Sequence, residues 1–535
     1  MKKTALINGV IVDGTGGPSF KGDILIEGDR IIALKREGEA HEFRTQADLV
    51  IDALGQVVAP GFIDSHSHSD LQILLDPLLK PKLRQGITTE VLGQDGVAMA
   101  PLPGPFIDDW RKNIGGLDGD SDEMDWTYET IEGYLDRIRH SGSTSNSTYL
   151  VPHGNVRLSV LGFSEKKATG ANIKAMCDEV RKGMEAGCVG LSTGLIYIPC
   201  AYGSTEELTE MCRVVAEYDG VFVVHQRSEA NQILSSMDEI ITIGRESGVR
   251  VHFSHFKICG KNNWEKIDEV LGKIDRAREE GIAVTFDMYP YTAGSTMLSA
   301  LLPPWAHVGG TAKMLERLQS EAERHKIKAA ILEKNSMWDN FVEFAGFDGI
   351  FVTSVVTQKN QFAIGKSLSE IAEIRQVDPL DGLFDLLVAE QNRVGMIDYY
   401  GKEEHLEVFC QREEMSVCTD GLLGGKMHPR AYGAFPRVIS QFVKTKKILP
   451  LEEAVKRMTY NPARNYRLTD RGVVRKNAYA DLIIFDPENF KDVGDFMQPD
   501  QFPTGLELVM VNGEVAYDGE SYYPNGQGSV LLRGE

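Results

Sequence analysis

Between residues 57 and 418 the chain alternates short apolar runs with helix-patterned stretches, and this alternation limits the fold more than any other feature. The apolar runs cover residues 57–63, 88–92, 148–151, 189–192, 221–224, 250–253, 283–286 and 415–418. Helical spacing fills 130–139, 173–186, 206–218, 237–246, 264–279 and 451–458. Ser204, three residues before Glu207, supplies a capping-box start to one of these helices. Strands joined through helices lie parallel, because each crossover returns the chain to the same end of the sheet. Eight of them predict an α/β fold of the (β/α)8 or TIM-barrel type. An open doubly wound sheet is the alternative, but no G-x-G-x-x-G follows the first run.

The flanks follow a different pattern. Residues 5–7, 9–12, 23–26 and 30–34 are β-rich and punctuated by Asn8-Gly9, Asp13-Gly14 and Gly28-Asp29. Residues 480–486 and 508–515 repeat that style near the other end. Neither flank is long enough to bury a good core alone. Residues 1–57 and 472–535 are therefore expected to form one small composite β-sandwich domain beside a barrel of residues 58–471. Residues 301–355 are oversized for one connection and hold a helical piece, 312–334, with Trp305 and Trp338. They are expected to form an inserted, lid-like segment.

A net charge of −21 disfavours nucleic acid and anionic membranes as partners. It leaves room for a small anionic substrate in a local basic pocket. The seven cysteines are scattered without a C-x-x-C, which suits a reducing compartment. Met1-Lys2-Lys3 imitates a signal-peptide start, but Asn8, Asp13 and the glycines from 14 to 17 interrupt any apolar core. No run approaches the length of a membrane span. The expectation is a cytoplasmic protein, its oligomeric state open.

In a barrel the chemistry gathers where strands end at the C-terminal face. His66 and His68 follow the first run, on one face of an extended chain. Gly93-Gln94-Asp95-Gly96 follows the second, and His153 the third. The fifth ends in His225, the sixth in His255 and the eighth in Asp420. Imidazoles with a carboxylate suit Zn2+, with Mn2+, Co2+ or Fe2+ also possible. His153 has no partner motif and receives no role. His252 lies mid-strand and is assigned to structure. His41, His140, His307, His325 and His405 sit in polar or helical surroundings and are assigned to the surface.

Pro60-Gly61-Phe62-Ile63-Asp64-x-His66-x-His68, the later histidines and Asp420 resemble the amidohydrolase superfamily. Further runs resemble its N-acyl-D-amino-acid deacylase (D-aminoacylase) branch. These are Gln85-Gly86-Ile87-Thr88-Thr89, residues 191–197, Ser254-His255-x-Lys257, Asp287-x-Tyr289-Pro290-Tyr291 and the stretch from His428 to Arg437. The resemblance spans nearly the whole chain. It implies a barrel with a small composite β domain, one or two zinc ions, and hydrolysis of the amide bond of a small N-acyl-D-amino acid by metal-activated water. The branch usually carries Gly-Asn-Cys-Gly after the second strand, where the cysteine binds metal. Here Asp95 stands in that place. The resemblance thus makes Asp95, His225 and His255 ligands of one metal. It makes Asp420 the general base and acid, and gives His66 and His68, with Asp420, to a second metal or to the oxyanion. It offers Lys257 and Arg430 to the substrate's α-carboxylate, Tyr289 as a hydrogen-bond donor, and Tyr197 and Arg227 as pocket-lining residues. A dipeptidase or a cyclic-amide hydrolase is the alternative. The latter usually needs a metal-bridging lysine after the fourth strand, and none is present. A non-catalytic scaffold would be expected to have lost these ligands.

Overall fold

All eight apolar runs form strands of one parallel sheet in the computed structural model, which describes residues 2–36, 43–423 and 428–534. In order they are Phe62–Asp64, Ile87–Leu92, Asn146–Pro152, Gly190–Gly194, Val221–His225, Arg250–Phe253, Val284–Met288 and Met415–Val417. Each pairs in parallel with its sequence neighbour. The ring is completed at its C-terminal face. There Ser67–His68 pairs in parallel with Gly421–Leu422, and Asp420 N–H donates to the His66 carbonyl at 2.9 Å. This closure brings the first and eighth strand ends, and their polar residues, side by side.

The first run, 57–63, is two strands rather than one. Gly61 N–H donates to the Asp481 carbonyl and Phe62 N–H to the Gly86 carbonyl. Adjacent residues thus serve different sheets. Val57–Pro60 lies antiparallel to Leu482–Phe485 and parallel to Lys3–Ile11, whereas Phe62–Asp64 opens the barrel. The crossing needs a glycine: a Cβ at Gly61 would lie 2.2 Å from Thr88 Oγ1. Hydrophobic patterning cannot show such a change of partner, because both strands are buried.

Val57–Pro60 is one of eight strands in a composite sheet drawn from both ends of the chain. One face buries Leu6, Ile24, Ile26, Val58, Leu482, Ile484 and Met510. Ala5, Ile7, Leu25 and Phe43 pack on the other.

The excursion between the seventh and eighth barrel strands is wider than residues 301–355. It opens with Ala293–Met297 and ends with Gly395–Tyr399, which pair antiparallel, and Ile350–Ser354 adds a third strand. Its own core includes Leu298, Met314, Leu318, Ile327, Phe384, Leu387 and Met396. The helices Leu368–Arg375 and Pro379–Ala389 belong to it. Their patterning is that of any crossover helix, so the sequence gives no sign of where the excursion ends. Ser204 does cap its helix, accepting from Glu207 N–H at 3.2 Å. Glu207 does not complete the box; its carboxylate turns inward to His153 and Arg157.

Candidate active site

Five of the eight barrel strand ends supply a tight group of buried ligand atoms. His66 Nε2 and His68 Nε2 face each other at 3.3 Å. Asp420 Oδ1 lies 3.7 Å from the first and 3.4 Å from the second. Asp95 Oδ1 is 3.7 Å from both His66 Nε2 and His255 Nε2, and its Oδ2 is 3.6 Å from His68 Nε2. His225 Nδ1 is 2.9 Å from His255 Nε2. Three sets have ligand atoms all within 4.8 Å of one another: His66–His68–Asp420, His66–Asp95–His255 and His225–Glu229–His255. The expected trio of Asp95, His225 and His255 is thus distributed over two sets that share His255. Glu229, absent from the sequence expectation, joins His225.

These residues suit a divalent cation. Asp95 Oδ1 and His225 Nε2 are buried without a hydrogen-bond partner, and a buried polar atom left unpaired is costly. Nitrogen and carboxylate donors meeting at one point match Zn2+, Mn2+, Co2+ or Fe2+.

The backbone holds this group under strain. Asp95, His255 and Asp420 have φ of 55°, 35° and 46°, in the left-handed region that non-glycine residues rarely enter. Each is fixed by neighbours. Ser192 Oγ accepts from Gly96 N–H at 3.1 Å and donates to the Gly93 carbonyl, bracketing Asp95. Asp287 accepts from His255 N–H and also faces His252 Nε2 at 2.8 Å, so His252 is structural, as expected. Asp64 accepts from Thr419 N–H at 2.8 Å, and buried Lys82 joins Asp64, Ser67 and Thr419. That network ties the His66–His68 segment to Asp420. Asp118 Oδ1 lies 3.0 Å from His68 Nδ1 and orients the ring.

Burial disfavours charge on His68, but hydrogen bonds to Asp118, Asp420 and Asp95 outweigh it and lift the ring well above its usual range. Burial likewise opposes ionisation of Asp420, yet the Arg430 guanidinium and nearby histidines hold it far below the ordinary carboxylate value. His66 and its neighbours do the same for Asp95. Burial lowers His225 to about 4. His255 rises to about 9, burial and Lys257 being outweighed by Glu229 and Asp95.

Of the expected substrate contacts, Lys257, Tyr289, Arg430 and Tyr197 line one cavity with Asp95, His225, His255 and Asp420. Lys257 Nζ is paired with Glu229 at 2.8 Å and also contacts His255 Nδ1 at 2.6 Å. Arg430 Nη1 lies 2.8 Å from Asp420 Oδ2, and its Nη2 donates to the Ser295 carbonyl at 2.9 Å. The Arg430 guanidinium covers the Tyr289 ring at 4.4 Å, and the Tyr289 hydroxyl bonds that of Tyr400. Tyr197 Oη lies 2.8 Å from Thr296 Oγ1. Arg227 is not brought to the cavity: it grips Glu239 and the carbonyls of Ala201 and Gly203. Its position two residues after His225 carried it past the strand end and away from the barrel axis. His153 is fully buried between Thr193 and Glu207. His405 is buried beside Trp264 and Phe409 rather than exposed. His307 is half-buried, its Nε2 3.1 Å from the Ser299 carbonyl. His140 and His325 are exposed, and His41 lies outside the described residues.

Glu229 and Asp118 are the site residues that the sequence did not disclose. Glu229 lies beyond the strand end in an irregular turn, four residues after His225. That His-x3-Glu spacing was its only signal. Asp118 sits in a glycine-rich loop following no strand, with no signal at all.

The model of the amidohydrolase family matches this chain over residues 49–334 and 425–517. A D-aminoacylase of Alcaligenes xylosoxydans xylosoxydans is 30% identical, over 99% of this chain and 97% of its own. An N-acyl-D-aspartate deacylase of the same organism is 31% identical, over 98% and 94%. Among solved structures, N-acyl-D-glutamate deacylase from Bordetella bronchiseptica, complexed with zinc and a phosphonate mimic of the tetrahedral intermediate, superposes with a TM-score of 0.82. It is 30% identical, over 99% of this chain and 100% of that one. The family match and the whole-length similarity agree, and the chain belongs to the amidohydrolase family, in its D-aminoacylase branch.

Proposed function

We propose that the chain is a metal-dependent hydrolase that cleaves the amide bond of N-acyl-D-amino acids to a carboxylate and a free D-amino acid. The observation that carries this is the double engagement of Asp420. One oxygen faces His66 and His68 at 3.7 and 3.4 Å, and the other faces Arg430 at 2.8 Å. A single carboxylate thereby stands between the metal-binding nitrogens and the cation suited to a substrate carboxylate. His66, His68, Asp95, His225 and His255, with Asp420 and Glu229, would hold the metal, which when bound polarises the amide carbonyl and acidifies water. We assign zinc as that metal, from the donor set and the zinc-bound relative.

Asp420 takes the proton from the attacking water and delivers it to the departing amide nitrogen, a poor leaving group until protonated. Arg430 holds the substrate's α-carboxylate. It is anchored on Ser295, while its buried Nε lacks a hydrogen-bond acceptor and so retains a donor for the ligand. Lys257, already neutralised by Glu229, contributes less charge and more orientation to His255. The preference for the D configuration follows the relatives. The cavity serves a small molecule, and no described helix is long and apolar enough to cross a membrane. The seven unpaired cysteines support a cytoplasmic setting.

Asp420→Asn tests the assignment. The variant should keep its metal by elemental analysis while turnover of N-acetyl-D-amino acids falls by about 10²–10⁴-fold. Turnover at the wild-type rate would remove Asp420 as the base. A panel of N-acetyl-L-amino acids hydrolysed as fast as their D counterparts would overturn the stereochemical part.

A further inference from the structure

The excursion between the seventh and eighth strands contributes a carboxylate to the cavity that the reaction does not use. Asp398 lines the cavity from the strand Gly395–Tyr399, opposite Gly294. It is 1% exposed, and its Oδ2 has no hydrogen-bond partner. Burial pushes its carboxyl up to about 7, while Lys257 and Arg430 pull the other way. An ionisable group buried beside two cations, with an oxygen still unpaired, is costly unless a ligand completes it.

Gly294 keeps the space beside it open. A Cβ there would lie 3.2 Å from Asp398 Oδ1 and 2.7 Å from the Tyr400 ring. The lysine and arginine side chains among the described residues lining this cavity are those of Lys257 and Arg430. Glu229 already pairs with the first and Asp420 with the second. A substrate that spends Arg430 on its α-carboxylate finds, among the described residues, no further unpaired lysine or arginine for a second, side-chain carboxylate. It finds an unpaired acceptor instead.

We propose that Asp398 forms the side-chain subsite, selecting N-acyl-D-amino acids whose side chain ends in a cationic or N–H-donating group and rejecting acidic ones. This rests on the deacylase reading of the site, and it sets the chain apart from relatives named for D-aspartate and D-glutamate substrates. A charge-assisted hydrogen bond to the buried carboxylate is the source of the discrimination.

The test is the ratio of kcat/KM for N-acetyl-D-lysine over N-acetyl-D-glutamate, measured on the zinc-loaded full chain and its Asp398→Leu variant. A ratio does not depend on the fraction of active protein. The wild-type ratio should exceed one, and it should fall at least tenfold in the variant. A ratio that is unchanged, with both substrates slowed equally, would overturn the subsite and make Asp398 a support for the α-carboxylate site. If Asp398→Leu does not fold, Asp398→Asn, of the same shape, carries the same test. Should the wild type hydrolyse no N-acetyl-amino acid, the deacylase reading fails and the subsite is judged by calorimetry with free D-lysine and D-glutamate. Tighter D-lysine binding that is lost in the variant supports the subsite, and equal binding of the two overturns it.

Discussion

Asp118 shows how much of the site rests on a residue with no chemistry of its own. It is buried, reaches only the Nδ1 side of His68, and fixes which nitrogen the ring offers to the metal site. Asp118→Asn preserves shape but removes the charge that helps to hold His68. Metal affinity should fall about 10–100-fold, the usual effect of losing such a partner, as read by competition with a chromogenic chelator. An unchanged affinity would mean that packing alone orients the ring. The same residue marks what the sequence could not disclose. His66, His68, His225, His255 and Asp420 were legible because each directly follows an apolar run, and a barrel gathers strand ends. Asp118 sits in a glycine-rich loop, and its partnership with His68 spans fifty residues. Arg227 errs the other way: adjacency to His225 suggested a cavity role, but its side chain leaves toward Glu239.

At the scale of elements, all eight barrel strands were legible because each is a short buried apolar run, with helical spacing between most of them. What was not legible is where an apolar run changes partners. Gly61 is that point, its backbone pressed against Thr88 where one strand leaves the composite sheet and the next enters the barrel. Gly61→Ala should cost about 1–3 kcal/mol, the usual effect of forcing a methyl into a packed interior, seen as a lowered urea midpoint. Because His66 lies five residues on, the same variant should also lower metal occupancy. A stable variant with full occupancy would show that Thr88 can yield without moving the strand. The excursion was only half legible for a related reason. Its helices are patterned like crossover helices, and only its antiparallel strands, Ala293–Met297 with Gly395–Tyr399, reveal a separate unit.

The whole molecule carries a net charge of −21, and its fold concentrates acids where water cannot screen them. Asp64, Asp70, Asp95, Asp118, Glu229, Asp287 and Asp420 are all buried around the barrel mouth. Lys82, Lys257, Arg430 and the histidines offset part of that charge. The remainder is a reason for the fold to require a cation, and the ligands come from the first, second, fifth, sixth and eighth strand ends. A metal bound there therefore joins segments that are far apart in the unfolded chain. Binding the native state alone, at a free concentration a thousandfold above its dissociation constant, contributes about 4 kcal/mol. For 535 residues, at an unfolding entropy of about 2.1 cal/mol/K each, the midpoint shifts by about 4 °C. Dialysis against a chelator should lower the barrel's thermal midpoint by that order, and added Zn2+ should restore it. Asp95→Ala, stripped of a ligand in the set it forms with His66 and His255, should respond less to both treatments. A wild-type midpoint that ignores chelator and metal alike would show that the buried carboxylates are balanced by the protein's own cations.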